Sequence, residues 1–282
     1  MRVIVLLLEK WRVIDKMNVS EYDRNRIRIV IAGSSGRMGG SLIKFFSKDR
    51  RFLIKFLLEE SLKKGIKIRS YFSYQNISDQ FDIFVDFTSP LGTMKHVSLC
   101  KKLGKPIIIG TTGFDKRQIR YIAQFSQSIP ILISENFSFG MNFLFRSFQK
   151  FSNFLIENYT IKIMEIHHKD KIDVPSGTSI KIKNIFSELI VREDNLDFND
   201  EGHDCCKIDS QNKNINISSV RSFCSVSEHR ISFSNRYEKL DIKHTVQNRD
   251  VFCEGVMRSC LWIVNKDKGL YSSQEVFFER DG

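Results

Sequence analysis

Ile27-Arg-Ile-Val-Ile-Ala-Gly-Ser-Ser-Gly-Arg-Met-Gly39 is the stretch that decides the fold. Its first six residues are a short β-branched run, which favours a buried strand. Three glycines follow at Gly33, Gly36 and Gly39, and an apolar helical pattern then runs through Met38, Leu42, Ile43, Phe45 and Phe46. Strand, glycine turn and helix in that order place free helix N–H groups and a positive dipole end where a pyrophosphate can sit. The spacing G-x-x-G-x-x-G is less specific than G-x-G-x-x-G, and a tight βα turn without ligand would use the same glycines. A carboxylate at the end of the next strand favours the nucleotide. Phe52–Leu58 reads as that strand, and Glu59 stands 20 residues beyond Gly39, placed to accept both ribose hydroxyls.

Working outward, Phe81–Phe87, Pro106–Ile109 and Ile131–Ile133 are further short apolar runs, with a helical pattern over Gly92–Leu103. Strands alternating with helices predict parallel pairing through right-handed crossovers, hence a doubly wound α/β sheet. Loops at strand ends carry Phe87-Thr88-Ser89-Pro90, Gly110-Thr111-Thr112-Gly113 and Ser134-Glu135-Asn136-Phe137. Small and hydroxyl residues there let the backbone approach a nicotinamide. Beyond residue 137 the texture changes to alternation in Thr160–Ile166, one helix after Pro175, and alternating runs at Ile217–Arg221, Arg230–Ser234 and Lys239–Thr245. That pattern predicts a second α+β domain with a mixed, largely antiparallel sheet. Helical spacing returns over Phe252–Val264. These changes divide the chain into an extension over 1–26, a dinucleotide-binding region over 27–137, an α+β region over 138–248 and a helical C-terminal region over 249–282.

The chain has 282 residues, 41% apolar and 27% charged, enough to bury a core. Its net charge of +11 is scattered among acids without a long basic run, so no nucleic-acid partner is expected. The six cysteines form no CxxC pair and no zinc-finger spacing, which predicts reduced thiols without structural zinc. Val3–Leu8 is apolar but is cut off by Glu9 and Lys10, too short to span a membrane. A cytoplasmic enzyme is expected.

The chemistry concentrates in Glu165-Ile-His-His-Lys-Asp-Lys-Ile-Asp-Val-Pro-Ser-Gly-Thr178. Pro175 and the Ser/Gly/Thr run suit a helix start. Its open N–H groups at Gly177 and Thr178, with the Ser176 and Thr178 hydroxyls, make a cradle for a carboxylate or phosphate. His167, His168, Lys169 and Lys171 add cations, and histidine has the pKa suited to proton transfer at neutral pH. A solvated loop or a metal site is the other reading of a His-His pair. No third ligand stands at a suggestive spacing and the lysines oppose a cation, so no metal is expected.

Taken together these residues resemble the bacterial dihydrodipicolinate reductase (4-hydroxy-tetrahydrodipicolinate reductase) family. Matching stretches are Ile31–Gly39, Val85–Pro90, Ile109–Asp115, Asn136–Asn142, Glu165–Thr178, His244–Arg249 and Gly255 through Trp262 to Tyr271, so the likeness covers about residues 27 to 275. The resemblance implies a nicotinamide domain closed by the C-terminal helix and a central domain whose sheet assembles a homotetramer. It implies reduction of a cyclic dicarboxylate to tetrahydrodipicolinate in diaminopimelate and lysine biosynthesis. Carried onto this chain, His167 is the proton donor and acceptor, and Lys171 the second donor. His168, Gly177 and Thr178 contact the substrate carboxylate. The cofactor contacts are Gly33, Ser34, Ser35, Gly36, Arg37, Met38, Glu59, Gly110, Thr111, Thr112, Ser134, Glu135, Asn136 and Phe137. NADH is favoured over NADPH because Glu60 should repel a 2′-phosphate, although Lys63 and Lys64 lie close by. Three departures stand out: no glycine between Arg221 and His229, an altered stretch at Glu201-Gly-His203, and Glu135 where the family favours a small apolar residue. Glu135 is expected either to weaken cofactor binding or to pair with a nearby lysine. A dehydrogenase of open-chain amino acids or semialdehydes, and a non-catalytic nucleotide-binding scaffold, are the competing readings.

Overall fold

The computed structural model describes residues 26–59, 80–169, 171, 173–187, 215–222 and 227–278. The expectations for residues 1–25, Glu60, Lys63, Lys64 and Glu201–His203, and for the middle of the Arg221–His229 loop, lie outside them. So do Cys205, Cys206 and Cys224, whereas Cys100, Cys253 and Cys260 are buried free thiols.

The first half alternates as the apolar runs require. Strand β1 (Ile27–Ala32) leads into helix α1 (Arg37–Phe46), followed by β2 (Phe52–Leu58) and β3 (Ile83–Asp86). Helix α2 (Pro90–Leu103), β4 (Ile107–Ile109), α3 (Lys116–Phe125) and β5 (Pro130–Ile133) complete the series. All pairings are parallel, in the order β5-β4-β3-β1-β2, and a short C-terminal strand, β10 (Gly269–Tyr271), adds beside β5. Burial on both faces explains the unbroken apolar runs. Along β1, Ile29 and Ile31 pack against Leu42, Cys253 and Val256, while Val30 and Ala32 pack against Val97 and Ile122.

The second half is built on helix α4 (Phe139–Asn158) and strand β6 (Thr160–His168), followed by helix α5 (Gly177–Ser187). Strands β7 (Ile215–Ser222), β8 (Ser227–Ser234) and β9 (Lys239–Val246) complete a sheet of order β7-β6-β8-β9. It is mixed: β7 runs parallel to β6, while β6–β8 and β8–β9 are antiparallel. Ile161, Ile163, Ile231 and Phe233 pack with Phe145, Phe148, Ile182 and Phe186 of α4 and α5 on one face. Helix α6 (Asp250–Ile263) and short helix α7 (Ser273–Phe278) return the chain to the first sheet.

The differences from the sequence reading are local. The third strand is shorter than Phe81–Phe87, since Phe81 is buried but precedes the ladder. The 20-residue α4 and the strand β10 were not expected at all.

Candidate active site

The glycine turn is set by close approach. Gly33 has φ +78°, and a Cβ there would lie 2.2 Å from the Phe87 carbonyl oxygen. A Cβ on Gly39 would lie 2.1 Å from the Gly33 carbonyl oxygen, so α1 is packed directly on its own turn. Gly36 caps α1 without any side-chain hydrogen bond, which leaves the first N–H groups of the helix for a ligand. Glu59 accepts from the Ser35 backbone N–H at 2.7 Å and from the Ser34 hydroxyl at 3.4 Å, which binds the end of β2 to the turn. The loops after β3 and β4 are tied by the Thr88 N–H donating to Thr111 Oγ1 at 3.0 Å. These features fit a dinucleotide.

The other wall comes from the end of β6 and the start of α5. Glu165 and His167 are two residues apart on β6 and so share its inward face. Glu165 is wholly buried. Its carboxylate accepts from Ser176 N–H at 3.0 and 3.2 Å, from Ser179 Oγ at 2.6 Å, and from the Arg221 guanidinium at 3.3 Å. Burial alone would raise its pKa, but hydrogen bonds from Ser176, Ser179 and Ser219 together outweigh it and hold the carboxyl at about 2. Burial pushes His167 down to about 4, against the favourable field of Glu165 and with the opposing fields of Lys171 and Arg221. His229 packs edge-on against His167, centroids 5.0 Å apart, and burial followed by repulsion from His167 lowers it to about 3.

One cleft of ≈ 520 Å³ brings the two walls together. Gly36, Arg37, Met38, Gly110, Thr112 and Ser134–Phe137 line it from the first sheet, and His167, His168, Lys171 and Ser176–Thr178 from the second. Gly33, Ser34, Ser35, Glu59 and Thr111 sit behind this lining, in the turn and at strand ends. Cross-cleft contacts join the walls. Arg37 Nη1 lies 2.7 Å from His168 Nδ1, Asn136 Nδ2 donates to Thr178 Oγ1 at 3.1 Å, and Lys181 pairs with Glu135 at 2.7 Å. The last of these is the expected lysine partner of Glu135. Ser176 lines the cleft and also caps the helix: it is 2% exposed, and its hydroxyl accepts from Ser179 N–H and lies 3.3 Å from His229 Nε2, at the start of α5 beside Gly177 and Thr178. Ser134 is turned inward, onto Ser273 and the Asn136 carbonyl.

Glu165, His167 and His229 bring ligand atoms within 4.8 Å of one another, a grouping that spacing along the chain did not reveal. The donor set does not fit a cation, because Glu165 already accepts from serine donors and a guanidinium, and Lys171 stands nearby. Sequence reasoning also missed Arg221, His229 and the wall formed by Gln247, Asn248 and Arg249. The register Glu165↔His229 and His167↔Arg221 brings the first two in, and only strand pairing discloses it.

A parallel dinucleotide sheet facing a buried histidine and an anion cradle across one cleft defines a nucleotide-dependent oxidoreductase. The models of dihydrodipicolinate reductase, N-terminus and C-terminus, match residues 27–137 and 140–277. A 4-hydroxy-tetrahydrodipicolinate reductase of Buchnera aphidicola subsp. Cinara cedri (strain Cc) is 32% identical over 272 residues, 90% of this chain and 97% of that protein. One from Wigglesworthia glossinidia brevipalpis is 35% identical, over 89% of this chain and 92% of the relative. The structure of a dipicolinate-bound dihydrodipicolinate reductase from Paenisporosarcina sp. TG-14 superposes with TM-score 0.66 at 22% identity, covering 88% and 97% of the two chains. This chain belongs to the dihydrodipicolinate reductase family.

Proposed function

We propose that this protein reduces 4-hydroxy-tetrahydrodipicolinate to tetrahydrodipicolinate with a reduced nicotinamide nucleotide, serving diaminopimelate and lysine biosynthesis in the cytoplasm. The observation that carries the reading is the single cleft in which His167, Lys171 and the Gly177–Thr178 cradle face Gly36–Met38, Gly110 and Thr112. The bound nicotinamide supplies a hydride.

The chain's own residues do the rest. The open N–H groups at Gly177 and Thr178, with His168, hold a substrate carboxylate, and Ser176 fixes the helix start that presents them. Lys171, paired with Asp173 at 2.7 Å, supplies a cation and a second proton donor. His167 delivers the proton that accompanies the hydride, and the 4-hydroxyl of the substrate is lost as water, so that hydride plus proton balance one water released. Burial favours its neutral imidazole, and a substrate carboxylate alongside favours the imidazolium, so binding of the dianion itself charges the donor. The turn over Gly33–Met38 with Glu59, the Gly110–Thr112 loop and Ser134–Phe137 hold the cofactor, and the carboxylates at Glu59 and Glu60 favour NADH. No helix among the described residues is long and apolar enough to cross a membrane. The face of the second sheet turned away from α4 and α5 is proposed to build a homotetramer.

One coupled assay, with substrate generated in place and each cofactor in turn, tests the reading. His167→Ala should lower kcat by ~10²- to 10⁴-fold while cofactor fluorescence quenching is retained, and NADH should show the higher kcat/KM. Undiminished turnover in His167→Ala, or turnover of an open-chain amino acid instead, sinks the assignment.

A further inference from the structure

We propose that Glu165 is a positioning residue for the proton transfer: its carboxylate, fixed beside His167 Nδ1, selects the tautomer of that ring and supports its imidazolium. The proposal rests on His167 being the proton donor. Glu165 Oε1 lies 3.8 Å from His167 Nδ1, and that nitrogen is buried with no hydrogen-bond partner among the described residues. At 3.8 Å this is a charge contact and not a hydrogen bond. A proton on Nδ1 points at a fixed negative oxygen, whereas a lone pair there would face it, so the carboxylate favours Nδ1–H. Nε2 is then the nitrogen that exchanges a proton with the cleft. When Nε2 takes up a proton, the whole cation stands against Glu165.

Fixation is what makes the carboxylate effective. Ser176 N–H and Ser179 Oγ at the start of α5 and Arg221 on β7 hold it in place beside His167. The charged and titratable groups acting on His167 are Glu165, Lys171, Asp173, Arg221 and His229, with His244 acting on His229 in turn. Asp173 is taken up by Lys171 at 2.7 Å. Glu165 is therefore the carboxylate whose charge the imidazolium feels most, with a smaller contribution from Asp173, and Arg221, at 3.3 Å from Glu165, tempers its charge. Ser176 joins this device to the substrate cradle, since the same residue donates to Glu165 and caps α5. The strength of the proton donor and the placing of the substrate carboxylate are thus set by one buried cluster.

The test is the pH profile of kcat in two opposed variants. Glu165→Gln keeps the shape and removes the charge. It should lower kcat by ~10- to 100-fold with KM for substrate within about threefold, and move the alkaline fall of kcat to lower pH, because the donor loses its proton sooner. Glu165→Asp should restore the position of that limb. Arg221→Gln releases Glu165 from its counter-ion and should move the limb the other way, to higher pH. An unmoved limb in Glu165→Gln, whatever Arg221→Gln does, or a raised KM with unchanged kcat, overturns the proposal and leaves Glu165 as a fold residue of the cradle. If Glu165→Gln does not fold, the ring ¹⁵N shifts of His167 in the native protein decide: a neutral ring carrying its proton on Nδ1 supports the proposal, and one carrying it on Nε2 overturns it. Full activity in His167→Ala would defeat the underlying reading instead, so the two failures are distinguishable.

Discussion

At the scale of single residues, the site concentrates buried titratable groups whose cost is visible in the pH dependence of stability. His167 and His229 are 5% and 2% exposed and are held at about 4 and about 3. Unfolded, each takes a proton near pH 6.5. Between about pH 6 and pH 4.5 the unfolded chain therefore binds two protons that the folded chain refuses. Stability should fall on acidification by roughly 1.4 kcal/mol per pH unit for each histidine, about 2.7 for the pair. Glu165, lowered to about 2 from 4.5, adds a loss of the same sign below about pH 4.5. Urea unfolding at pH 7, 6 and 5 measures the slope, and His229→Gln should halve it. Equal stability at pH 7 and pH 5 would contradict the burial of these rings. The sequence disclosed only part of this cluster. His167, Lys171, Gly177 and Thr178 are legible because the loop joining β6 to α5 carries its chemistry contiguously. Arg221 and His229 enter through the pairing of distant strands, and no spacing along the chain marks them.

At the scale of elements, legibility follows how each element is buried. Strands β1 to β5 are apolar on both faces, so they read as unbroken runs bounded by turns. Helix α4 was not legible because its phenylalanines lie on both sides. Phe145 and Phe148 are buried, while Phe143, Phe151 and Phe154 are 53%, 54% and 58% exposed, which blurs the 3.6-residue period. The most demanding element junction is the β1–α1 turn. In Gly39→Ala the new Cβ would meet the Gly33 carbonyl oxygen at 2.1 Å and its carbon at 2.8 Å, both backbone atoms that cannot rotate away. Helix α1 must then lift from the turn, which displaces the N–H groups that hold the cofactor. The variant should lose about 2–4 kcal/mol of stability and bind NADH at least ~10-fold more weakly, read by thermal melting and by fluorescence titration. Gly40→Ala is the control one residue along, where a Cβ meets nothing within 4 Å, and it should be neutral or slightly stabilising.

At the scale of the whole molecule, the two sheets are covered unequally. The first has helices on both faces. Among the described residues the second is covered by α4 and α5 on one face, and Met164, Ile166 and Val220 point away from them, with Ile166 and Val220 adjacent in the β6–β7 register. The proposed tetramer places this face between subunits. Glu165, His167 and Arg221 lie on the opposite face by the alternation of each strand, so charge added outside need not touch the proton-transfer cluster. The native protein should sediment at four times its 33.0 kDa chain mass, and Met164→Glu with Val220→Glu should reduce that to smaller species. A native species of 33.0 kDa would refute the assembly. The two walls that hold cofactor and substrate come from one chain, because Gly36–Met38 meet His167, His168, Lys171 and Ser176–Thr178 across the cleft within a single subunit. The smaller species should therefore still bind cofactor.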